Sequence, residues 1–85
     1  MLKVGILGLG LIGGSIAKSL KYSSKEVVIA GFDTNRQNAN FALENQLVNY
    51  LITEINEENI DQDLVIVAVP ISELKNIFSQ LNKIK

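Results

Sequence analysis

Mostly apolar residues form three short runs along the chain, and each run ends where a turn is favoured. The runs and the residues that end them are 3–7 with Gly8, 27–32 with Asp33, and 64–69 with Pro70. Strands without polar interruptions are typical of a parallel sheet that is covered on both faces. We therefore predict three buried parallel strands, with a short further strand at 50–53.

Between these runs, apolar residues recur at the three- and four-residue spacing of helices that pack on one side. The first helix is predicted to begin at Leu11, the second at a capping box formed by Thr34 and Gln37, and the last at a Ser72 cap. The predicted inner faces comprise Ile12, Ile16, Ala17 and Leu20, then Ala39, Ala42 and Leu43, then Leu74, Ile77, Phe78 and Leu81. Residues 54–62 are acidic and predict a surface loop or a loose helical turn. The order β-α-β-α-β-β-α predicts the first half of an open α/β sheet with strand order 3-2-1-4.

Composition restricts the class of function. The 85 residues are 47% hydrophobic and 20% charged, so one folded domain is expected. A formal net charge of −1 gives no basic surface for nucleic acid or an anionic membrane, which leaves small molecules and proteins as partners. Cysteine and histidine are absent from the sequence, so disulfides, thiolate metal sites and histidine acid–base chemistry are excluded. We predict a cytoplasmic protein without a metal site.

Three glycines at the end of the first strand carry the strongest functional signal. Gly8, Gly10 and Gly13 have the GxGxxG spacing and stand where a strand meets a helix, which is the context of the dinucleotide-binding fingerprint. Gly8 permits a tight turn, Gly10 lets the backbone approach a pyrophosphate, and Gly13 lets the helix pack against the strand. The positive end of the helix dipole then faces the phosphates. This motif predicts a Rossmann-type parallel sheet with helices on both faces.

Asp33 favours NAD over NADP. It follows the second strand, 20 residues after Gly13, where a carboxylate accepts hydrogen bonds from the adenosine ribose and repels a 2′-phosphate. Arg36 either pairs with a phosphate, stacks on adenine, or is a solvated charge. Two structural alternatives stay open, since the glycines also suit close helix packing and an aspartate also suits a turn or helix cap.

A second part of the site is expected at the carboxyl end of the last strand. In the predicted strand order this strand lies beside the first, at the topological switch point where ligands bind in such sheets. Val69, Pro70 and Ser72 would border the nicotinamide half of the cofactor there. A purely structural role, with Pro70 ending the strand and Ser72 capping the helix, is equally compatible with the sequence.

Three segments together resemble the amino-terminal part of the prephenate dehydrogenase family: GLGLIGGSIAKSLK, VVIAGFDTNRQNANFALENQLV and DLVIVAVPIS. The resemblance covers nearly all 85 residues. It implies oxidative decarboxylation of prephenate to 4-hydroxyphenylpyruvate in tyrosine biosynthesis, with hydride transfer to NAD, and arogenate as the alternative substrate. It also implies that Ile12 touches the cofactor. The candidate cofactor site comprises Gly8, Leu9, Gly10, Leu11, Ile12, Gly13, Asp33, Thr34, Arg36, Val69, Pro70 and Ser72.

The resemblance also implies that residues 1–85 are only the first part of a dinucleotide-binding domain. Members of the family continue into a helical substrate and dimerisation domain, so the catalytic histidine and the substrate-binding arginine are expected outside this chain. The apolar run at 64–69 likewise predicts an exposed sheet edge and self-association. Three alternatives are a related hydroxyacid or imine-reducing dehydrogenase, a stand-alone NAD(H)-binding regulatory module, and a pure interaction domain.

Overall fold

Seven elements follow one another in the predicted order. They are β1 (Leu2–Leu7), α1 (Leu11–Ser23), β2 (Val27–Phe32), α2 (Arg36–Glu44), β3 (Tyr50–Leu51), β4 (Leu64–Val67) and α3 (Ile71–Asn82). The computed structural model describes residues 1–23 and 26–84, so the part of the polar connector at residues 24 and 25 lies outside the described residues.

The four strands form one parallel sheet in the order β3-β2-β1-β4. β1 is central and pairs with β2 along its whole length, from Leu2 opposite Val27 to Leu7 opposite Phe32. On its other side, β1 pairs with β4 from Val4 to Leu7. The predicted Rossmann-type α/β fold and its strand order are confirmed.

Side chains that alternate along the strands build a core on each face of the sheet. Val4 and Ile6 of β1 pack in a cluster with Ala17 of α1 and Ala42 of α2. On the opposite face, Leu7 packs in a second cluster with Ala30, Ile52, Ile55 and Ile77, the last of which belongs to α3. Helices therefore cover both faces, and the segment after β3 helps α3 to close the second one.

β4 is less buried than its sequence predicts. Its regular pairing ends at Val67 rather than at residue 69, and Leu64 is 48% exposed. The remaining residues of the strand are half-buried. The cause is its place at the edge of the sheet formed by the described residues.

The inner faces of the helices differ from the prediction at three positions. Ile12 is 70% exposed because α1 turns Gly13 and Ala17 toward the sheet instead. Leu43 in α2 and Phe78 in α3 are also exposed rather than buried, at 42% and 49%. In each case a neighbouring residue packs against the sheet instead. Each predicted inner face therefore included one apolar residue too many.

Both predicted helix caps are wrong. α2 begins one residue later than expected, because the Asn35 side chain accepts a hydrogen bond of 3.1 Å from the Asn38 amide. Thr34 therefore is not the cap. In α3 the cap position is Pro70, which has no capping side chain, and Ser72 already lies inside the first turn. Among residues 1–23 and 26–84, no helix combines the length and apolar character needed to cross a membrane.

Candidate functional site

A cleft of about 680 Å³ opens at the carboxyl ends of β1, β2 and β4. The turn between β1 and α1 forms its floor, the residues after β2 form one wall, and the β4–α3 connection forms the other. Its lining residues are Gly8, Gly10, Leu11, Ile12, Phe32, Asp33, Thr34, Asn35, Asn38, Ala68, Val69, Pro70, Glu73 and Ile77.

Two glycines in the floor are required by the close approach of backbone to backbone. Gly8 has a φ of 108°, and a Cβ built there would lie 2.5 Å from the carbonyl oxygen of Ala68 in the β4–α3 connection. A Cβ at Gly13 would overlap the carbonyl oxygen of Gly8. Gly8 thus makes the turn, and Gly13 lets α1 begin directly against it, as the fingerprint predicts.

Gly10 differs from these two because it faces open space. A Cβ at Gly10 would have Nδ2 of Asn38 as its nearest neighbour, 4.0 Å away. The Gly14 amide donates to Gly10 O at 2.8 Å and so closes the first turn of α1. The backbone amides of residues 11–13, in the first turn of α1, have no carbonyl partner within the helix. The positive end of the helix dipole lies at these amides. The floor therefore offers backbone donors to an anion and leaves room for its approach.

The Asp33 carboxylate ties the wall after β2 to the floor. Its Oδ2 atom accepts hydrogen bonds from the Leu9 amide at 2.8 Å and from Nδ2 of Asn38 at 3.3 Å, while Oδ1 accepts from the Asn35 amide at 2.8 Å. A carboxylate has about four acceptor positions, so roughly one position remains, on Oδ1. The three hydrogen bonds hold Asp33 rigidly, and its carboxylate can still accept a hydrogen bond from a hydroxyl of a ligand.

The opposite wall combines backbone near β4 with two side chains of α3. Ala68, Val69 and Pro70 come from the connection, whereas Glu73 and Ile77 project from the helix. The two walls meet where the hydroxyl of Thr34 donates to Oε1 of Glu73 over 3.4 Å. The cleft is consequently bridged by a polar contact near Asp33.

Eight of the twelve predicted site residues line this cleft. They are Gly8, Gly10, Leu11, Ile12, Asp33, Thr34, Val69 and Pro70. The exposure of Ile12, at odds with the predicted helix face, thus belongs to its place in the cleft.

The other four predicted residues lie elsewhere. Leu9 is buried in the core, although its amide binds Asp33. Gly13 is buried beneath α1. Arg36 is exposed at the start of α2, and Ser72 is exposed on α3. Neither side chain lines the cleft.

Six lining residues were not anticipated: Phe32, Asn35, Asn38, Ala68, Glu73 and Ile77. Two of them carry a signal in hindsight. Asn35 and Asn38 have the three-residue spacing of a cap and its recipient, which brings both toward Asp33. Glu73 stands three residues after Pro70, in the first turn of α3. Within the described ranges, no three acidic side chains cluster closely enough to hold a metal ion.

A protein-family model matches residues 3–85, and its description is NADP oxidoreductase, coenzyme F420-dependent. The chain belongs to this family. The match includes all four strands, apart from Leu2 at the start of β1, and both walls of the cleft.

Three solved dehydrogenase structures are similar to this chain. Prephenate dehydrogenase from A. aeolicus, solved with hydroxyphenyl propionate and NAD+, is 32% identical with a TM-score of 0.87 over 99% of this chain. Arogenate dehydrogenase from Synechocystis is 24% identical with a TM-score of 0.80, also over 99% of this chain. Apo scyllo-inositol dehydrogenase from Lactobacillus casei is 23% identical with a TM-score of 0.72 over 96% of it. The last two similarities concern the fold.

The resemblance to the amino-terminal part of prephenate dehydrogenases is confirmed by these matches. The chain spans 30% of the length of the prephenate and arogenate dehydrogenases, and 26% of the length of the scyllo-inositol dehydrogenase.

Proposed function

We propose that this chain is the NAD-binding part of a prephenate dehydrogenase, which oxidatively decarboxylates prephenate to 4-hydroxyphenylpyruvate. The observation that carries the proposal is the Asp33 carboxylate, which is anchored beside the glycine turn with acceptor capacity left on Oδ1. The A. aeolicus prephenate dehydrogenase of known structure, 32% identical, supports the choice of reaction. The substrate-binding and catalytic groups, and the expected dimer interface, belong in this proposal to regions outside these 85 residues.

The residues of the cleft fit a dinucleotide. The open space at Gly10 and the amides at the start of α1 suit the pyrophosphate, since they combine room with hydrogen-bond donors. The remaining acceptor position of Asp33 suits a ribose hydroxyl. Leu11 and Ile12 are exposed at the cleft and give it apolar surface against which a bound ligand can pack. When bound, NAD would supply the acceptor for the hydride that leaves the substrate.

NAD fits this cleft better than NADP, although the description of the family names NADP. The charged side chains among the residues that line the cleft are Asp33 and Glu73, and both are acidic. Arg36, the nearest candidate for a 2′-phosphate partner in the sequence, does not line the cleft. A 2′-phosphate would meet two negative charges without a cationic side chain from the lining residues to balance them.

Calorimetric titration of the chain with NAD is the primary test. We expect saturable binding by the wild type, and we expect Gly10→Val to abolish it because the side chain would occupy the space for the pyrophosphate. Since that space is open in the protein, Gly10→Val should leave the circular-dichroism spectrum unchanged. A folded wild type that fails to bind NAD, or a Gly10→Val variant that binds as well as the wild type, contradicts the proposal.

Asp33→Ala tests the ribose contact. We expect NAD binding to weaken by about 1–3 kcal/mol, the scale for losing a partner in a polar contact. Asp33→Asn serves as the companion variant, because its side-chain oxygen can still accept from the Leu9 amide and preserve the turn. If NAD affinity is unchanged in both variants, Asp33 only anchors the glycine turn.

A further inference from the structure

We propose that Glu73 is a second specificity-determining residue, which rejects NADP from the wall opposite Asp33. This inference rests on the proposed dinucleotide function, and it concerns a residue outside the glycine fingerprint. It assigns to the first turn of α3 a role in distinguishing a ribose hydroxyl from a ribose phosphate.

The position of Glu73 is set by the β4–α3 connection. Its amide donates to the carbonyl oxygen of Pro70 at 2.9 Å, which places the residue in the first turn of α3. Its half-buried side chain lines the cleft, and Oε1 accepts the Thr34 hydroxyl at 3.4 Å. Thr34 directly follows Asp33, so Glu73 reaches across the cleft to the residue next to the proposed ribose ligand.

This contact opposes a 2′-phosphate in two ways. The phosphate would be attached to the same ribose that Asp33 binds, so it would lie in the region where Thr34 and Glu73 meet. Repulsion from the Glu73 carboxylate would add to the repulsion from Asp33. In addition, the Thr34 hydroxyl already donates a hydrogen bond to Glu73, so it is not free to donate one to a phosphate. Glu73 therefore both supplies a negative charge and occupies a donor.

An acidic residue in a first turn also has a purely structural use, because it interacts favourably with the helix dipole. That use predicts a change in stability after substitution, with NAD and NADP affinities affected equally. The quantity that separates the two roles is the ratio of the NADP and NAD dissociation constants.

The test measures this ratio by titration of three variants at low ionic strength. Glu73→Gln removes the charge but keeps an acceptor for Thr34, and we expect NADP affinity relative to NAD to rise roughly three- to tenfold. Glu73→Ala also frees the Thr34 hydroxyl, so the rise in NADP affinity relative to NAD should be larger in this variant. Glu73→Asp keeps the charge and should stay close to the wild type. The rise should shrink as salt is added, because salt screens charge.

Glu58→Gln is the matched control, since it makes the same change in net charge at an exposed residue that does not line the cleft. We expect its ratio to equal that of the wild type. Binding of NAD with an unchanged ratio in Glu73→Gln and Glu73→Ala would overturn the role of Glu73 and leave the proposed function intact. An equal rise in Glu58→Gln would also overturn it. A wild type that binds neither dinucleotide would overturn the proposed function together with this inference.

Discussion

The floor of the cleft and the β4–α3 wall face the same space but are held in different ways. In the floor, Gly8 and Gly13 are buried, and backbone atoms occupy the places where their side chains would be. In the wall, Val69 is half-buried and Pro70 is exposed. The floor is thus built from tightly packed backbone, whereas the wall presents side chains from an open surface.

The position of each strand in the sheet explains this difference. β1, which leads into the floor, has a strand on both sides, and the Gly8 amide extends the pairing with a 2.6 Å hydrogen bond to Phe32 O. β4, which leads into the wall, lies at the edge of the sheet. The Ala68 amide donates to Leu7 O at 2.8 Å, and regular pairing has already ended one residue earlier. Substitutions should therefore affect stability more in the floor than in the wall.

The largest effect is expected from alanine at Gly13, because its Cβ would overlap the Gly8 carbonyl oxygen. We expect Gly13→Ala to lower the free energy of unfolding by about 3 kcal/mol, the upper range for overpacking a close-packed site. Gly14→Ala is the matched control, since a Cβ there would lie 3.9 Å from Leu47 and from Leu9 O. At Gly14, alanine should stabilise the protein by about 0.5–1 kcal/mol through its higher helix propensity. Urea denaturation of both variants measures the difference.

The same substitution at adjacent residues should thus have opposite signs. If both variants are stabilised, α1 can move away from the turn, and the floor is not more tightly constrained than the wall. If both are destabilised by similar amounts, the start of α1 is sensitive to any side chain, and the role of Gly13 in close packing is not specific.

The floor could be predicted from the sequence because its constraints act on glycines at fixed spacing. Gly8, Gly10 and Gly13 each have the environment that the fingerprint predicts: a left-handed turn, open space and a close helix contact. Asp33 was likewise expected at the end of β2. Its hydrogen bond with the Leu9 amide was not predicted, since an aspartate's choice among nearby amides depends on how the turn folds.

The wall could be predicted only in part. The apolar run that ends at Pro70 predicts β4, but it does not predict that regular pairing ends at Val67 or that the strand is only half-buried. The choice between Ser72 and Glu73 depends on the rotation of α3, which places Ile77 against the core and Glu73 in the cleft. A one-residue error in where the helix begins changes which side chain enters the site.

A smaller effect is expected at the two helix starts that flank the cleft. Asn35 caps α2 with a side-chain hydrogen bond, so Asn35→Ala should lower the free energy of unfolding by about 1 kcal/mol. Ser72 lies within the first turn of α3, whose cap position is Pro70, so Ser72→Ala should change it by less than about 0.5 kcal/mol. Urea denaturation of the two variants compares them directly.

The pair tests whether α3 begins at Pro70, on which the position of Glu73 depends. If Ser72→Ala costs as much stability as Asn35→Ala, Ser72 is a cap, α3 begins two residues later, and Glu73 is rotated relative to the cleft. A loss confined to Asn35→Ala supports the observed start of α3, because a residue inside the first turn has no capping bond to lose. Ser72 lies outside the cleft, but the effect of Ser72→Ala on the free energy of unfolding therefore tests the position of Glu73, which we propose to act inside the cleft.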